Sequence, residues 1–421
     1  MDIRRAFAAL AAGDALGATS EFAPLAEIPE IHRRHARDGW PFRPVGGGAF
    51  DWRPGQATDD ATMARALVDC WAALPSEWHW GELVADEFVE WMKSDPPDIG
   101  GTTRAALIAI RRGEAWWRGG REIWRRDRHA WSNGSLMRNG VVAGLAGGAE
   151  AFRLSLWHGL ITHWAPLPAL CCAAQTWLQQ WPEAVEDPAS GAWVARFRAE
   201  WESWLAAEVD PIVREWAVET AADLPEAWQQ LEAADFDPDS LCPYADLGAG
   251  RDGFCLTTLQ VGVWALAWAA RGRPYPPEWL PPDFPRDPFR FRGGAVLGWV
   301  ALIGRDADTY GATAGPMIAA AAFLPRSMTD GLEALRRPIQ IETQFDLRDP
   351  LRDLAPYERW DPSWHPYLLS TVAESLEWLD LALIRLPLAT GNLEVLLPIP
   401  FTSAGSGDFW VHLRLGPPHG F

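Results

Sequence analysis

Gln56-Ala57-Thr58-Asp59-Asp60 and Arg305-Asp306-Ala307-Asp308-Thr309-Tyr310-Gly311 are the two stretches on which the reading of this chain turns. Each packs carboxylates and a threonine hydroxyl into a few residues, and each stands before a helical stretch of small residues. Carboxylate and hydroxyl oxygens are hard donors, which suit Mg²⁺ or Mn²⁺ rather than zinc. Neither run contains Cys or His. The plain alternative is a pair of helix N-termini. Thr58 would be an N-cap, with Asp59 and Asp60 in the first turn where the helix dipole favours anions. Asp306 and Thr309 would do the same for a later helix. Adjacent residues of a helix do not face each other. Asp59 and Asp60 therefore converge on one point only where the helix begins and the backbone is still loop-like.

Four further stretches join these two in a fixed order. They are Gly13-Asp14-Ala15-Leu16-Gly17-Ala18-Thr19-Ser20-Glu21-Phe22, Trp91-Met92-Lys93-Ser94-Asp95-Pro96-Pro97-Asp98-Ile99-Gly100, Asn133-Gly134-Ser135-Leu136-Met137-Arg138 and Ile161-Thr162-His163. Together with Pro54–Asp60 and Asp306–Thr309 they resemble the motifs of the ADP-ribosylglycohydrolase family. The stretch around Asp98 is similar to the branch that includes the dinitrogenase-reductase-activating glycohydrolases, the ADP-ribosylarginine hydrolase branch. Each motif alone is weak, but six in register are a strong signal. The resemblance covers residues 1–182 and 250–325. It implies an all-α fold, a compact and mostly orthogonal helical bundle with a two-metal centre in a cleft.

The resemblance also implies a function: a divalent-metal-dependent hydrolase that removes ADP-ribose from a modified protein side chain, arginine foremost. Breaking that glycosidic bond passes through an oxocarbenium-like centre. Two hard cations can hold ribose hydroxyls and acidify a water. Thr58, Asp59, Asp60, Asp306, Asp308 and Thr309 would hold two Mg²⁺ or Mn²⁺ ions, with Asp308 bridging. Glu21 stands where the family has an acidic residue at the metal site, and would be general base, ligand or both. Asp98 matches an aspartate over the scissile bond, although by itself it reads equally as a turn residue after Pro96-Pro97. Glu21, Asp98 and Asp308 are thus the expected catalytic set. Asn133, Gly134, Ser135 and Met137 would cradle the phosphates of ADP-ribose, with Gly100 and His163 also in contact. Alone, Asn-Gly is more often a plain turn, and a lone histidine more often a satisfied, partly buried one.

The chain departs from the family pattern in four places. Ala61 follows the first metal run where another threonine is usual. Arg305 replaces a glycine before Asp306, Ala165 replaces a histidine two residues after His163, and Ser132 stands where a glycine often precedes Asn-Gly. None of these removes an oxygen of the metal set. A reading from another class is a binding or immunity protein that inhibits an ADP-ribosyltransferase partner through the segments outside the resemblance. The intact carboxylate set favours the enzyme, because a retired site would shed charges that repel one another.

Composition agrees with a globular cytoplasmic protein, 48% hydrophobic and 22% charged. Cys70, Cys171, Cys172, Cys242 and Cys255 show no metal-type spacing and no even set, as expected in a reducing compartment. Seven apolar residues follow Arg4 and Arg5 before Gly13, short for a signal peptide. No stretch approaches a membrane span. A net charge of −19 argues against nucleic acid as a partner; ADP-ribose and an ADP-ribosylated protein are the partners the resemblance implies. From Glu183 to Ser240 there are fifteen acids and three arginines. Trp193, Phe197, Trp201 and Trp204 recur there at helical spacing. That segment reads as a solvated acidic helical face with one apolar stripe, or, less simply, as a dock for a basic protein. The 27 tryptophans read mostly as packing with the indole N–H at the rim.

The expected organisation is one domain over 1–330 with an acidic helical insertion at about 183–250, and a small C-terminal α+β extension, 331–421, packed on the bundle. Helices are expected at 1–19, 59–73, 80–94, 102–113, 136–146, 151–162, 166–181, 255–271, from a Pro-rich connection (Pro274–Pro288) to Gly304, and at 313–324. A loop is expected at 114–133. Past 330, a helix is expected over Tyr367–Ile384, then a hairpin of Leu393–Phe401 and Phe409–Leu415. Gly13 and Gly17, four apart, mark a helix face open to close backbone approach.

Overall fold

Ala9, Gly13 and Gly17 repeat every four residues near the start of the chain, and Ala307, Gly311 and Gly315 do so near residue 311. A computed structural model describes residues 3–24, 26–28, 30–31, 44–53, 55–73, 79–185, 192–237, 252–271, 292–321, 393–399 and 409–415. The Pro274–Pro288 connection, the helix expected over Tyr367–Ile384, and Cys242 lie outside the described residues. The helices follow as α1 (Ile3–Gly17), α2 (Asp59–Ala73), α3 (Trp80–Lys93), α4 (Gly101–Arg111) and α5 (Arg118–Arg126). Two single turns come next, α6 (Leu136–Asn139) and α7 (Val142–Leu145), then α8 (Gly148–Leu160) and α9 (Pro166–Gln180). The rest are α10 (Ala192–Ala207), α11 (Pro211–Glu219), α12 (Leu224–Glu232), α13 (Cys255–Arg271), α14 (Arg292–Ala301) and α15 (Ala307–Ala321). This unit is all-α, as expected. No helix among the described residues is long and apolar enough to cross a membrane.

The two small-residue repeats meet. A Cβ on Gly13 would lie 1.9 Å from the Gly311 carbonyl oxygen, one on Gly17 2.0 Å from that of Ala307, and one on Gly315 2.0 Å from that of Ala9. Residues 9, 13 and 17 thus face 315, 311 and 307 in antiparallel register. No side chain fits between the two backbones. This contact sets the end of α1 beside the start of α15, which is where both carboxylate runs and Glu21 come together.

Both runs prove to be helix N-termini, as the plain reading held, and α15 starts at Ala307 rather than at 313. The Tyr310 N–H donates to the Asp306 carbonyl (2.9 Å), which closes the first turn there. The expected loop at 114–133 contains α5. Its Gly119-Gly120 pair looks like a breaker but is a packing device: a Cβ on Gly119 would lie 2.4 Å from the Ala106 carbonyl, and one on Gly120 2.8 Å from that of Leu160. The helix expected at 136–146 splits into α6 and α7 around Gly140, whose missing side chain admits Pro316 of α15.

The acidic insertion folds as α10 to α12. Its stripe of Trp193, Phe197, Trp201 and Trp204 is buried. The Phe152 ring of α8 lies 5.6 Å from both Trp201 and Trp204. Part of its charge meets arginines of α5 and α8: Arg121 pairs with Glu215 (2.8 Å) and Glu219, Arg125 with Glu219 (2.9 Å), and Arg153 with Glu208 (2.9 Å). Several tryptophans are fully inside rather than at the rim, Trp80, Trp164 and Trp193 among them.

In a second unit, β1 (Leu393–Ile399) and β2 (Phe409–Leu415) pair antiparallel from Leu393↔Leu415 to Ile399↔Phe409. The expected strand pairing is present; the expected end of the first strand at Phe401 and the connecting loop lie outside the described residues.

Gly311→Ala should lower unfolding free energy by about 2 kcal/mol or more, the scale of an overpacked core, because a backbone rather than a side-chain tip must yield. Gly101→Ala, with nothing within 4 Å of its added Cβ, should stay within about 0.5 kcal/mol of wild type. Urea titration of both variants checks the contrast.

Candidate active site

The first N–H groups of α2 need acceptors that the helix itself cannot supply. Asp14 of α1 provides them. Its two oxygens accept from the Thr58 N–H (2.9 and 3.0 Å), and Oδ2 also accepts from the Ala61 N–H (2.9 Å). The Thr58 hydroxyl accepts from the Asp60 N–H (3.4 Å), as expected of an N-cap, and Asp14 reinforces that cap from a neighbouring helix. The same hydroxyl also faces carboxylates, with Asp60 Oδ2 at 2.9 Å and Asp308 Oδ2 at 3.3 Å. The sequence reading gave Asp14 no role. Its signal was the aspartate inside Gly13-Asp14-Ala15-Leu16-Gly17.

The other half of the site enters α15 through two left-handed residues, Gly304 (φ 69°) and Arg305 (φ 59°). Residue 305 is where the family pattern has glycine, and the backbone shows why, since a side chain there carries strain. The Arg305 guanidinium lies on Asp252 (3.0 Å). Its carbonyl accepts from the N–H of Phe22, itself left-handed (φ 53°). That bond ties Glu21 to the Asp306 turn. Asp306 accepts from the Asn133 side-chain amide and from the Thr309 side chain, while Asn133 also donates to Thr258 Oγ1 (2.9 Å). Thr258 is a further residue that the motifs did not reveal.

Asp14, Asp60 and Asp308 each bring an oxygen within 4.8 Å of the others, and so do Glu21, Asp306 and Asp308. Asp308 belongs to both trios. All five are buried. Burial, then the field of the neighbouring acids, drives their protonation upward: Glu21 to about 11, and Asp60 and Asp308 well above the carboxylate range. Burial lifts Asp14 to about 7 and Asp306 to about 6, against the hydrogen bonds each accepts. Glu21 Oε2, Asp60 Oδ1 and Asp308 Oδ1 are buried and meet no donor among the described residues. Buried carboxylate oxygens without donors, on residues of two trios that share Asp308, fit hard cations.

The remaining expected residues fall at graded distances from this cluster. Asp59 is half-buried and outside both trios, with its carboxyl raised well above its usual value by burial and by the charge of Asp98. Asp98 sits half-buried on the loop between α3 and α4 and raises Glu21, Asp59 and Asp306 in turn. Gly100 is exposed at the start of α4. Asn133 points at Asp306. Ser135 is fully buried and accepts from the Cys172 thiol (3.5 Å), and Met137 is buried too. The Asn133–Ser135 turn leads into α6, a single turn, so no long helix dipole stands behind it. His163 is buried, with Thr162 Oγ1 at 2.7 Å from Nδ1 and Ser132 Oγ at 2.7 Å from Nε2. Its imidazole titrates far down, near 3, through burial and the nearby Arg138 charge.

The ADP-ribosylglycohydrolase family model matches residues 2–359. The ADP-ribosyl-dinitrogen reductase glycohydrolase of Rhodospirillum rubrum is 40% identical over 106 residues, 24% of this chain and 32% of that one. The ADP-ribosylarginine hydrolase Tri1 of Pseudomonas putida (strain GB-1) is 30% identical over 174 residues, 39% of this chain and 42% of that one. The matched segments thus span less than half the length of these relatives. Among solved structures, an ADP-ribosylglycohydrolase-related protein complex aligns over 90% of this chain and 98% of that one, at 22% identity and a TM-score of 0.48. The family match covers most of the chain, both carboxylate runs included, and the chain belongs to the ADP-ribosylglycohydrolase family.

Proposed function

We propose that this chain is a divalent-metal-dependent hydrolase that removes ADP-ribose from a modified protein side chain, with arginine as the favoured acceptor. One observation carries the reading: Glu21, Asp60 and Asp308 each have a buried carboxylate oxygen with no donor among the described residues, and Asp308 shares one carboxylate trio with Asp60 and another with Glu21. Such a cluster is unfavourable by itself and suited to cations that relieve it. Thr58, Asp59, Asp60, Asp306, Asp308 and Thr309 would hold two Mg²⁺ or Mn²⁺ ions, with Asp308, common to both trios, between them. When bound, the ions would supply Lewis-acid polarisation and a more acidic water.

The chain's own residues do the rest. Glu21 takes the proton of the attacking water. Its carboxyl is held protonated mainly by burial, with Asp308 the next cause; the positive charge of a bound cation would favour the carboxylate form it needs to act as a base. Asn133 and Thr309 hold Asp306 in place. The Gly134 and Ser135 N–H groups, together with His163 and Gly100, take the diphosphate and ribose, while Met137 packs behind the turn. Asp98 stands on the loop ended by Pro96 and Pro97, whose rings fix their own φ. A carboxylate there can pair with a guanidinium, which a serine linkage does not offer. The names of the relatives, one an ADP-ribosylarginine hydrolase, point the same way. The free buried thiols of Cys70, Cys171, Cys172 and Cys255 suit a reducing compartment. Incubation of the full chain and Mn²⁺ with arginine-linked and serine-linked ADP-ribosyl peptides tests the reading. Free ADP-ribose should appear faster from arginine, and release from neither would overturn it.

Glu21→Gln should cut turnover roughly a hundredfold or more without lowering the melting temperature. Asp98→Asn should lose most arginine-directed release while still binding ADP-ribose, as seen by calorimetry.

The cluster also makes a pH prediction. In chelator, folded Asp306 and Asp14 keep protons to about 6 and about 7, against 3.8 unfolded. The native state therefore binds more protons than the unfolded chain, and stability falls as pH rises through that window. The melting temperature in chelator should drop between about pH 4 and about pH 7. Mn²⁺ should raise it most at the alkaline end. Identical curves with and without Mn²⁺ would remove the metal centre.

A further inference from the structure

Arg138 is the best-buried cation in the site region, with no exposure to solvent. Among the described residues no carboxylate pairs with it. Its hydrogen bonds go to neutral acceptors: the Gly134 carbonyl, the His158 carbonyl (3.0 Å), His158 Nδ1 (3.4 Å) and Thr162 Oγ1 (2.8 Å). The Phe88 ring lies 4.7 Å from the guanidinium carbon. A buried charge without a counter-ion is costly, and burial pulls the guanidinium down to about 9. What Arg138 supplies in return is direction, because a guanidinium can only donate.

That direction propagates along two paths. On one, His158 Nδ1 accepts from Arg138, so its hydrogen is on Nε2, which donates to Asn139 Oδ1 (2.8 Å). The Asn139 amide then donates to Cys172 O (2.8 Å) and Gln175 Oε1 (2.8 Å). This path ends in the core. On the other, Thr162 Oγ1 accepts from Arg138 and has one hydrogen left. Its remaining neighbour is His163 Nδ1 at 2.7 Å. Nδ1 is then the acceptor, and Nε2 carries the hydrogen and points at Ser132 Oγ, 2.7 Å away. Ser132 is only half-buried and immediately precedes Asn133, whose amide touches Asp306. This path therefore ends at a half-exposed hydroxyl one residue from the side chain that holds Asp306.

We propose that Arg138 is a positioning residue that, through Thr162, fixes the His163 hydrogen on Nε2, so that Ser132 accepts from His163 and turns its own hydroxyl hydrogen toward an oxygen of a ligand in the cleft. Ser132 is thereby a ligand donor at a position where the family pattern has a glycine and no side chain at all. The ligand chemistry is that of an anionic or hydroxyl oxygen of ADP-ribose, and this part rests on the function proposed above.

The test uses the full chain with Mn²⁺-free ¹⁵N spectra of the histidine rings and calorimetric titration with ADP-ribose. In the ligand-free wild type, His163 should show hydrogen on Nε2. Thr162→Val keeps the side-chain shape but removes the hydroxyl, and should give a mixture of both tautomers. Thr162→Ser should restore the single tautomer, which a merely structural role for the methyl group would not do. Ser132→Ala should leave the tautomer alone and weaken ADP-ribose binding by roughly tenfold, the worth of one net hydrogen bond. Adding Thr162→Val to Ser132→Ala should cost little more, since both lie on one path. A wild-type His163 with hydrogen on Nδ1, or a Thr162→Val spectrum identical to wild type, would overturn the relay. Wild-type affinity in Ser132→Ala would overturn its role as donor. Failure of the wild type to bind ADP-ribose would instead sink the functional reading, with the tautomer spectra still deciding the relay.

Discussion

The site depends on one contact that involves no functional side chain, the backbone approach of α1 and α15. Glycine and alanine at facing positions let the two helices touch main chain to main chain. Glu21 lies just past the end of α1, and Asp306 and Asp308 lie at the start of α15. The antiparallel register therefore fixes their separation. A larger residue at Gly13 or Gly311 would move one trio of carboxylates against the other without changing any ligand. Side-chain packing, which can relax by changing rotamers, would hold such a geometry less tightly.

The cluster built this way works against folding. Five carboxylates are buried in two trios that share Asp308, and the buried guanidinium of Arg138 is spent on neutral acceptors. The fold offsets this with donors aimed at the carboxylates that lie outside the Glu21, Asp60 and Asp308 gaps. Asp14 takes two N–H groups of α2. Asp306 takes Asn133 and Thr309. Among the described residues, one oxygen each of Glu21, Asp60 and Asp308 is left buried without a donor. Structural satisfaction and chemical availability are thus divided among oxygens of the same residues.

The carboxylate runs and the Gly13–Gly17 face were legible in the sequence because local spacing carries them. Asp14 was not, because its acceptor role is set by a helix 44 residues away. The α5 helix was hidden by Gly119-Gly120, which reads as a breaker until the backbones of residues 106 and 160 are seen against it. Arg305 looked like a plain substitution, and only its left-handed φ gives the family glycine its reason. The single-turn α6 was read as part of a longer helix, since nothing local announces that Pro316 will wedge in beside Gly140. In each case the missing information was a contact distant in sequence.

The pairing of α1 with α15 also has a kinetic side. The elements that complete the site are the first and last helices of the described bundle, so the loop that must close is nearly the whole unit. Contacts of such sequence separation form late and slowly. During synthesis, chains emerge N-terminus first, so α1 must wait, its glycine face uncovered, until residues beyond 321 have been made. A chain stopped before α15 would carry Asp14, Glu21 and Asp60 but neither complete trio, because Asp308 belongs to both.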